Sequence, residues 1–121
     1  MGDIEFRAWN VLDKKMLNWG YIFHLPAWEI FPGTPEQRPF NIMQYTGMED
    51  KNGREIYEGD IVKFISRLDD SKRMGTVRYW AGDAAFLIEC EREIFFLFHD
   101  ALNREVIGNI YENKELLKDI K

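Results

Sequence analysis

The chain has 121 residues, of which 45% are apolar and 15% aromatic, so its length and composition favour one compact fold over a disordered segment. Its net charge of −5 argues against a surface that binds phosphate throughout, although a local basic patch is compatible with this charge. One cysteine excludes an internal disulfide, the acidic first residues do not resemble a signal peptide, and no apolar run reaches membrane-spanning length, so we expect a cytoplasmic protein with no membrane partner.

Residues 1–45 predict a β lobe interrupted by a long loop. Residues 4–9 alternate apolar and polar side chains, which is the period of a half-buried strand, and a second strand should begin near Met16. If the chain continues extended, three aromatic side chains share one face: Trp19, Tyr21 and Phe23. Four prolines between positions 26 and 39 exclude a regular helix or a central strand there, and a further strand is predicted at 40–45.

The proline-punctuated loop carries three large apolar side chains, which is unusual for a segment that only contacts water: Trp28, Ile30 and Phe31. They either fold back on the core or form a contact surface for another subunit. We predict that they form an interaction surface and that the protein is a homo-oligomer.

The stretch from Gln44 to Phe64 organises the rest of the chain, because it has turn chemistry at three places. We expect the preceding strand to break at Thr46–Gly47. Asparagine and glycine tolerate positive φ, so residues 50–53 predict a reversal of the chain. Residues 58–60 predict a second reversal that leads into a strand, and the Asp60 side chain is placed to bond the backbone there.

Five strands with short connections are predicted after this turn, at 61–65, 75–80, 85–90, 94–98 and 106–111. Asn113 is placed to cap a short terminal helix. The chain is therefore predicted to be mainly β, with a small SH3-like barrel in its C-terminal half, an N-terminal β extension or lobe, and a short C-terminal helix. We divide it into a lobe at 1–45 and a barrel at 46–121, unless the two form one intertwined domain over 1–121.

Five segments together carry a family signature: Phe6–Trp9, Tyr45–Gly47, Asp50–Gly53, Ile56–Val62 and Glu105–Asn113. In these segments the chain resembles the YopX-like family of phage and prophage proteins, from one end to the other with a variable middle. It departs from the family at Lys114, where a proline commonly follows the asparagine. The resemblance implies a phage or prophage accessory protein in the cytoplasm of a bacterial host, and it implies no particular activity.

The sequence contains no recognisable catalytic constellation. Nucleophilic catalysis needs a nucleophile held beside a base, and Cys90 would have to pair with His24 or His99. The densest acidic group, at 49–60, lacks the spacing of a calcium loop, and two distant histidines with one cysteine disfavour a zinc site. We therefore expect no enzyme activity, no metal and no cofactor.

The favoured hypothesis is a non-enzymatic binding module that self-associates and binds a host or phage protein of unknown identity. One alternative is nucleic-acid binding, because small β-barrels bind single strands with aromatic side chains flanked by basic ones. The plausible patch for it comprises Arg67, Lys72, Arg73, Arg78, Tyr79 and Trp80. The neighbouring Asp69 and Asp70 oppose this alternative. Another is an acidic inhibitor that mimics DNA on a host protein, for which a charge of −5 is weak support.

Overall fold

The structure, a computed structural model, describes residues 4–26 and 40–120. The strands are β1 (Phe6–Asn10), β2 (Lys15–Leu17), β3 (Phe40–Glu49), β4 (Glu55–Tyr57), β5 (Asp60–Ser66), β6 (Lys72–Trp80), β7 (Ala85–Glu89), β8 (Ile94–Phe96) and β9 (Ala101–Asn109). Helix α1 spans Trp19–Ile22, and a C-terminal 3-10 helix spans Lys114–Asp119. Neither of these described helices is long and apolar enough to cross a bilayer. The predicted mainly β fold class with a short C-terminal helix is confirmed.

A four-stranded antiparallel sheet in the order β2-β1-β3-β4 contains the N-terminal strands. In β1, Ala8 lies opposite Leu17 of β2 and opposite Ile42 of β3. Ala8 and Ile22 of α1 form a small buried cluster, against which Phe6 packs. The first sheet therefore has an apolar cluster of its own, closed by α1.

Trp19, Tyr21 and Phe23 do not share one face of a strand, because the chain turns into α1 at this point. The Asn18 side chain accepts a hydrogen bond from the Tyr21 N–H at 3.0 Å and so caps the first turn. The helix buries Ile22 and leaves Tyr21 and Phe23 exposed. An N-cap asparagine thus outweighs an alternation that extends over only three aromatic positions.

β3 is one continuous strand with two partners. Its first half, Phe40–Gln44, pairs with β1, and its second half pairs with β4. The register shifts between Tyr45 and Glu49, and Gly47 in this interval has a φ of 85°. The predicted break at Thr46–Gly47 is therefore wrong, because the glycine allows an irregularity within the strand rather than ending it. The boundary predicted after residue 45 falls inside β3, and the division into two domains stays a prediction.

The five strands predicted for the C-terminal half form a second antiparallel sheet, in the order β8-β7-β6-β5-β9. Alternate residues of these strands point to a shared core that includes Val62, Val77, Ile88 and Phe95. β4 of the first sheet contributes Ile56 to the same core. The order of strands is consistent with the predicted SH3-like barrel.

The chain turns sharply after β9, but Asn113 does not cap the 3-10 helix with its side chain. Instead, the Asn113 Oδ1 accepts the Asn109 N–H at 3.1 Å. A Cβ at Gly108 would stand 2.5 Å from this oxygen, so only glycine leaves room for the turn. The Asn109 Oδ1 accepts the N–H groups of Tyr111 and Glu112. These bonds direct the 3-10 helix back over the second sheet.

Candidate functional site

A buried ion pair joins the two sheets. The Arg7 Nη2 in β1 donates to the Asp60 Oδ1 in β5 at 2.7 Å, and the two side chains are 11% and 1% exposed. The Asp60 Oδ2 accepts the Tyr57 N–H at 2.8 Å, which confirms the predicted side-chain bond to the backbone. The Arg7 guanidinium also lies 4.7 Å from the centroid of the Tyr57 ring. We call Arg7, Tyr57, Glu58, Gly59 and Asp60 the junction.

Burial governs the ionisation of the junction. It raises the pKa of the Asp60 carboxyl above its ordinary value, against the opposing effects of the Arg7 charge and the Tyr57 N–H. It also raises the pKa of Tyr57 to about 12, and the nearby charges of Glu55 and Glu5 add to this. Tyr57 is therefore a neutral phenol at neutral pH, suited to packing rather than to proton transfer.

Glu58 and Gly59 complete the junction by bonding to backbone groups of neighbouring segments. The Glu58 Oε1 accepts the Gln44 N–H at 2.9 Å. Gly59 has a φ of 85°, where glycine is favoured. Its N–H donates to the Val77 carbonyl, and its carbonyl accepts the Ile110 N–H, each at 2.9 Å. The junction thus contacts β3, β6 and the turn after β9 at once.

The Asp50 carboxylate links the β3–β4 hairpin to β9 through hydrogen bonds. Its Oδ1 accepts the N–H groups of Asn52 and Arg54, and its Oδ2 accepts the Val106 N–H, each at 2.9 Å. Gly53 in the same turn has a φ of 82°, which confirms the predicted reversal at 50–53. Burial disfavours the charged form of Asp50, but the three N–H donors and the Arg54 charge outweigh it and hold its pKa below the ordinary value.

We expect Asp50 to contribute stability that is present above about pH 4 and lost as the pH falls. A carboxyl with a lowered pKa in the folded state binds fewer protons there than in the unfolded state, so acid favours unfolding. At neutral pH, Asp50→Asn should lower the free energy of unfolding by about 2 kcal/mol, because an amide nitrogen would face the Val106 N–H.

Urea titrations of the native chain and Asp50→Asn, from about pH 7 to about pH 3, measure this difference in stability. The difference should shrink in acid, while Asp83→Asn, at an exposed turn, should match the native chain throughout. A difference that stays constant with pH would contradict the role of the Asp50 charge.

The candidate nucleophile and bases lie in ordinary structural surroundings. The Cys90 Sγ donates to the Met74 carbonyl at 3.3 Å, and burial raises the pKa of the thiol, which is the reverse of activation. His99 lies in an exposed turn with its Nδ1 2.8 Å from the Asp100 Oδ1. In the described ranges, no hydrogen bond joins Cys90 to either histidine. Nor does any group of three or more His, Cys, Asp or Glu side chains in those ranges form a metal site.

The outer face of the second sheet carries an apolar patch near its β8 edge. Its members, which we call the outer-face patch, are Trp80 (41% exposed), Ile94 (47%), Phe96 (44%) and Phe98 (79%). Strand register groups the members in β6 and β8, because Phe96 lies opposite Leu87, and Leu87 lies opposite Arg78, two residues before Trp80. Phe98 lies in the turn directly after β8. Leu87 is buried beneath this face. The exposed members in β6 and β8 therefore stand on one face of the sheet, on either side of β7.

Charges of both signs border the outer-face patch. Glu89 lies opposite Ile94, and Arg78 stands on the same face of the neighbouring strand. The β8 edge is partly closed, since the Phe96 N–H donates to the Asp100 Oδ2 at 3.1 Å and the Phe96 carbonyl accepts the Asp100 N–H at 2.9 Å. Contact at this patch would thus use side chains rather than added strands.

A second feature of this part of the molecule is an open groove of about 1130 Å³ along β5, β6, β9 and the 3-10 helix. We call it the basic groove, because its lining has four basic residues, Lys51, Lys63, Lys72 and Arg73, and two acidic ones, Glu105 and Asp119. Aliphatic side chains form its floor: Ile65, Met74, Ile107 and Leu116. A positive local charge thus stands on a chain of net charge −5.

Three members of the predicted nucleic-acid patch share the outer face of β6 but line different grooves. Lys72 lines the basic groove, whereas Arg78 and Trp80 line a neighbouring groove together with glutamates at 89, 91 and 93. Arg67 lies in the exposed β5–β6 turn.

The other two members of that patch contact rings on the core side of β6. Arg73 lies 5.6 Å from the centroid of the Phe95 ring, and Tyr79 meets Phe86 edge-on at 5.2 Å. Arg73 also forms an ion pair with Glu93 at 2.6 Å, so its charge already has a partner within the chain. The structure does not gather the six residues on one face, and nucleic-acid binding by them stays a prediction.

Trp28, Ile30 and Phe31 lie outside the described residues, so the predicted interaction surface stays a prediction. Sequence reasoning missed the outward-facing members of the β8 segment. A signal for them existed, because alternate side chains in an apolar strand face opposite sides of the sheet, and only Phe95 and Leu97 point to the core.

Comparisons with known proteins find matches over nearly the whole chain. A family model described as YopX protein matches residues 5–118. The crystal structure of protein EF1440 from Enterococcus faecalis matches with a TM-score of 0.59 and 25% identity, covering 97% of this chain and 99% of that chain. The crystal structure of protein yopX from Bacillus subtilis matches with a TM-score of 0.56 and 19% identity, covering 93% and 97%, and shows a similar fold. None of the curated proteins compared with this chain matches it.

Proposed function

This chain belongs to the YopX family, and from that premise we propose that it is a non-enzymatic accessory protein of a phage or prophage, a binding module that acts by self-association. The family resemblance supports the phage setting and a location in the host cytoplasm. The observation that carries self-association is the outer-face patch, in which four large apolar side chains are exposed together. Its further partner would be a host or phage protein.

The occupant proposed for the outer-face patch is a second copy of this chain. Contiguous apolar surface rimmed by polar groups is typical of interaction sites. The rim carries Arg78 and Glu89 on one face of neighbouring strands. In a two-fold arrangement, Arg78 of one copy can stand beside Glu89 of the other, so the surface is complementary to itself. Trp80 and Phe96, on the same face of the sheet as these charges, are the side chains suited to anchor such a contact.

The chemistry of the described residues supports a non-enzymatic role. Asp50 and Asp60 accept hydrogen bonds with both carboxylate oxygens, so these acids are committed to holding the fold. Cys90 is a buried thiol with a raised pKa. These groups therefore serve packing and connection rather than a reaction.

Light scattering and sedimentation equilibrium at tens of micromolar test the proposal. We expect the native chain to have twice the monomer mass. Ile94→Thr combined with Phe98→Ser should raise the dimer dissociation constant about tenfold or more, because two large exposed apolar side chains of the patch are lost. Both side chains are exposed, so the fold should be retained.

A matched control is available in the β1–β2 turn. Val11 and Leu12 are 46% and 79% exposed, nearly the same as Ile94 and Phe98. Val11→Thr combined with Leu12→Ser should leave the dimer unchanged. A monomeric native chain, or an equal weakening by both pairs of substitutions, would overturn self-association through the outer-face patch. Trp28→Ala measures separately whether the predicted loop surface contributes.

A further inference from the structure

We propose that the basic groove binds an acidic, extended peptide segment of a partner protein, with carboxylates of the peptide at the groove lysines and aliphatic side chains on the groove floor. This goes beyond self-association, because no residue of the outer-face patch lines the groove. The outer-face patch and the basic groove can therefore be tested independently.

The charges of the groove favour an acidic occupant. In residues 4–26 and 40–120, no ion pair involves Lys63 or Lys72. Lys51 has one long contact, 3.8 Å from its Nζ to the Glu105 Oε1. The ammonium groups of Lys63 and Lys72 are thus available to a ligand, and they stand out against a chain of net charge −5.

The spacing of the lysines fits an extended peptide. Lys63 of β5 lies opposite Met74, and Lys72 is two residues along β6 from Met74, so the two lysines are diagonal neighbours about 7–8 Å apart. Alternate side chains of an extended peptide are about 6–7 Å apart. Two acidic residues separated by one residue can therefore meet both lysines at once.

The floor of the groove distinguishes a peptide from a nucleic acid. Its half-buried apolar members, Ile65, Met74 and Ile107, are aliphatic, and the aromatic residue in the lining, Phe64, is only 3% exposed. Single-stranded nucleic acid gains much of its affinity by stacking bases on aromatic side chains. Leucine-like side chains of a peptide suit this floor, whereas bases find no ring to stack on there.

The experiment uses fluorescence anisotropy of the native chain with a labelled peptide built of Asp-Ser-Asp-Ser-Leu-Ser repeats. In an extended conformation this peptide presents two aspartates about 6–7 Å apart, followed by a leucine, on one face. We expect salt-sensitive binding that is tighter than binding of an oligo-dT of matched charge. Lys63→Glu combined with Lys72→Glu should weaken the peptide complex about tenfold. Lys14→Glu combined with Lys15→Glu, an equal change of charge at the distant β1–β2 turn, should not.

A second variant distinguishes specific binding of the peptide in the groove from non-specific electrostatic attraction. Met74→Arg adds a positive charge but removes part of the apolar floor, so we expect weaker peptide binding. Equal or tighter binding by this variant would overturn the proposal, as would tighter binding of oligo-dT or no peptide binding by the native chain. The same titration with Ile94→Thr and Phe98→Ser should give native affinity, which keeps this result separate from self-association.

Discussion

Asp60→Ala is expected to lower the free energy of unfolding by about 3–5 kcal/mol, a large share of the stability of a small domain. The substitution removes the carboxylate that accepts from Arg7 at 2.7 Å and from the Tyr57 N–H at 2.8 Å. It leaves a guanidinium whose side chain is only 11% exposed without its counter-charge. Urea denaturation followed by circular dichroism measures the loss.

A double-mutant cycle separates the coupling energy between Arg7 and Asp60 from the other effects of each substitution. Arg7→Met alone should also destabilise the chain, because it leaves a buried carboxylate unpaired. Arg7→Met combined with Asp60→Ala should cost about 1–3 kcal/mol less than the sum of the two single losses, since no buried charge remains. Asp119→Ala, at an exposed acid, is the control and should change stability little. Additive single losses would contradict the direct coupling of Arg7 and Asp60.

Gly59→Val is the second substitution from which we expect a large effect, a loss of about 3 kcal/mol. A β-branched residue is strained at a φ of 85°, and a Cβ would stand 3.1 Å from the Met43 Sδ. The backbone cannot relax freely, because the Gly59 N–H and carbonyl bond Val77 and Ile110. Thermal and urea unfolding measure the loss.

Substitutions at two other glycines distinguish backbone strain from steric contact as causes of the stability loss in Gly59→Val. Gly47 has the same φ of 85° but nothing within 4 Å of an added Cβ, so Gly47→Val should show the backbone strain alone, about 1–2 kcal/mol. Gly82 has neither feature, and Gly82→Val should stay within about 0.5 kcal/mol of the native chain. An unchanged melting temperature for Gly59→Val would refute the role given to this turn.

The sequence predicted the second sheet well because its signals are local. Alternating apolar residues and short turns predict strands wherever one face is buried, and β5 to β8 lie close to their predicted positions. The last strand begins at Ala101 rather than at Val106, because its first residues pair with the end of β5 through a shifted register. Such pairing between distant segments has no local signature.

Only the structure shows which contacts the residues of the family signature make. Arg7 and Asp60 are 53 positions apart, and Trp9 stacks on Tyr111 with ring centroids 5.5 Å apart. Neither pairing could be read from spacing along the chain. The same holds for the basic groove, where Lys51 and Lys63 come from separate elements and meet only after folding. Surfaces built from several elements are therefore the part of the site that sequence patterns miss.

The central claim is that the junction holds the two sheets together while the outer face makes the contacts with other molecules. Hydrogen exchange of the native chain, measured at low and high protein concentration, tests both parts at once. We expect exchange at 94–98 to slow with concentration, and the amides of Tyr57, Gly59 and Val106 to be among the slowest at every concentration. Concentration-dependent slowing at 56–60 instead of 94–98, or rapid exchange at the junction, would contradict the claim.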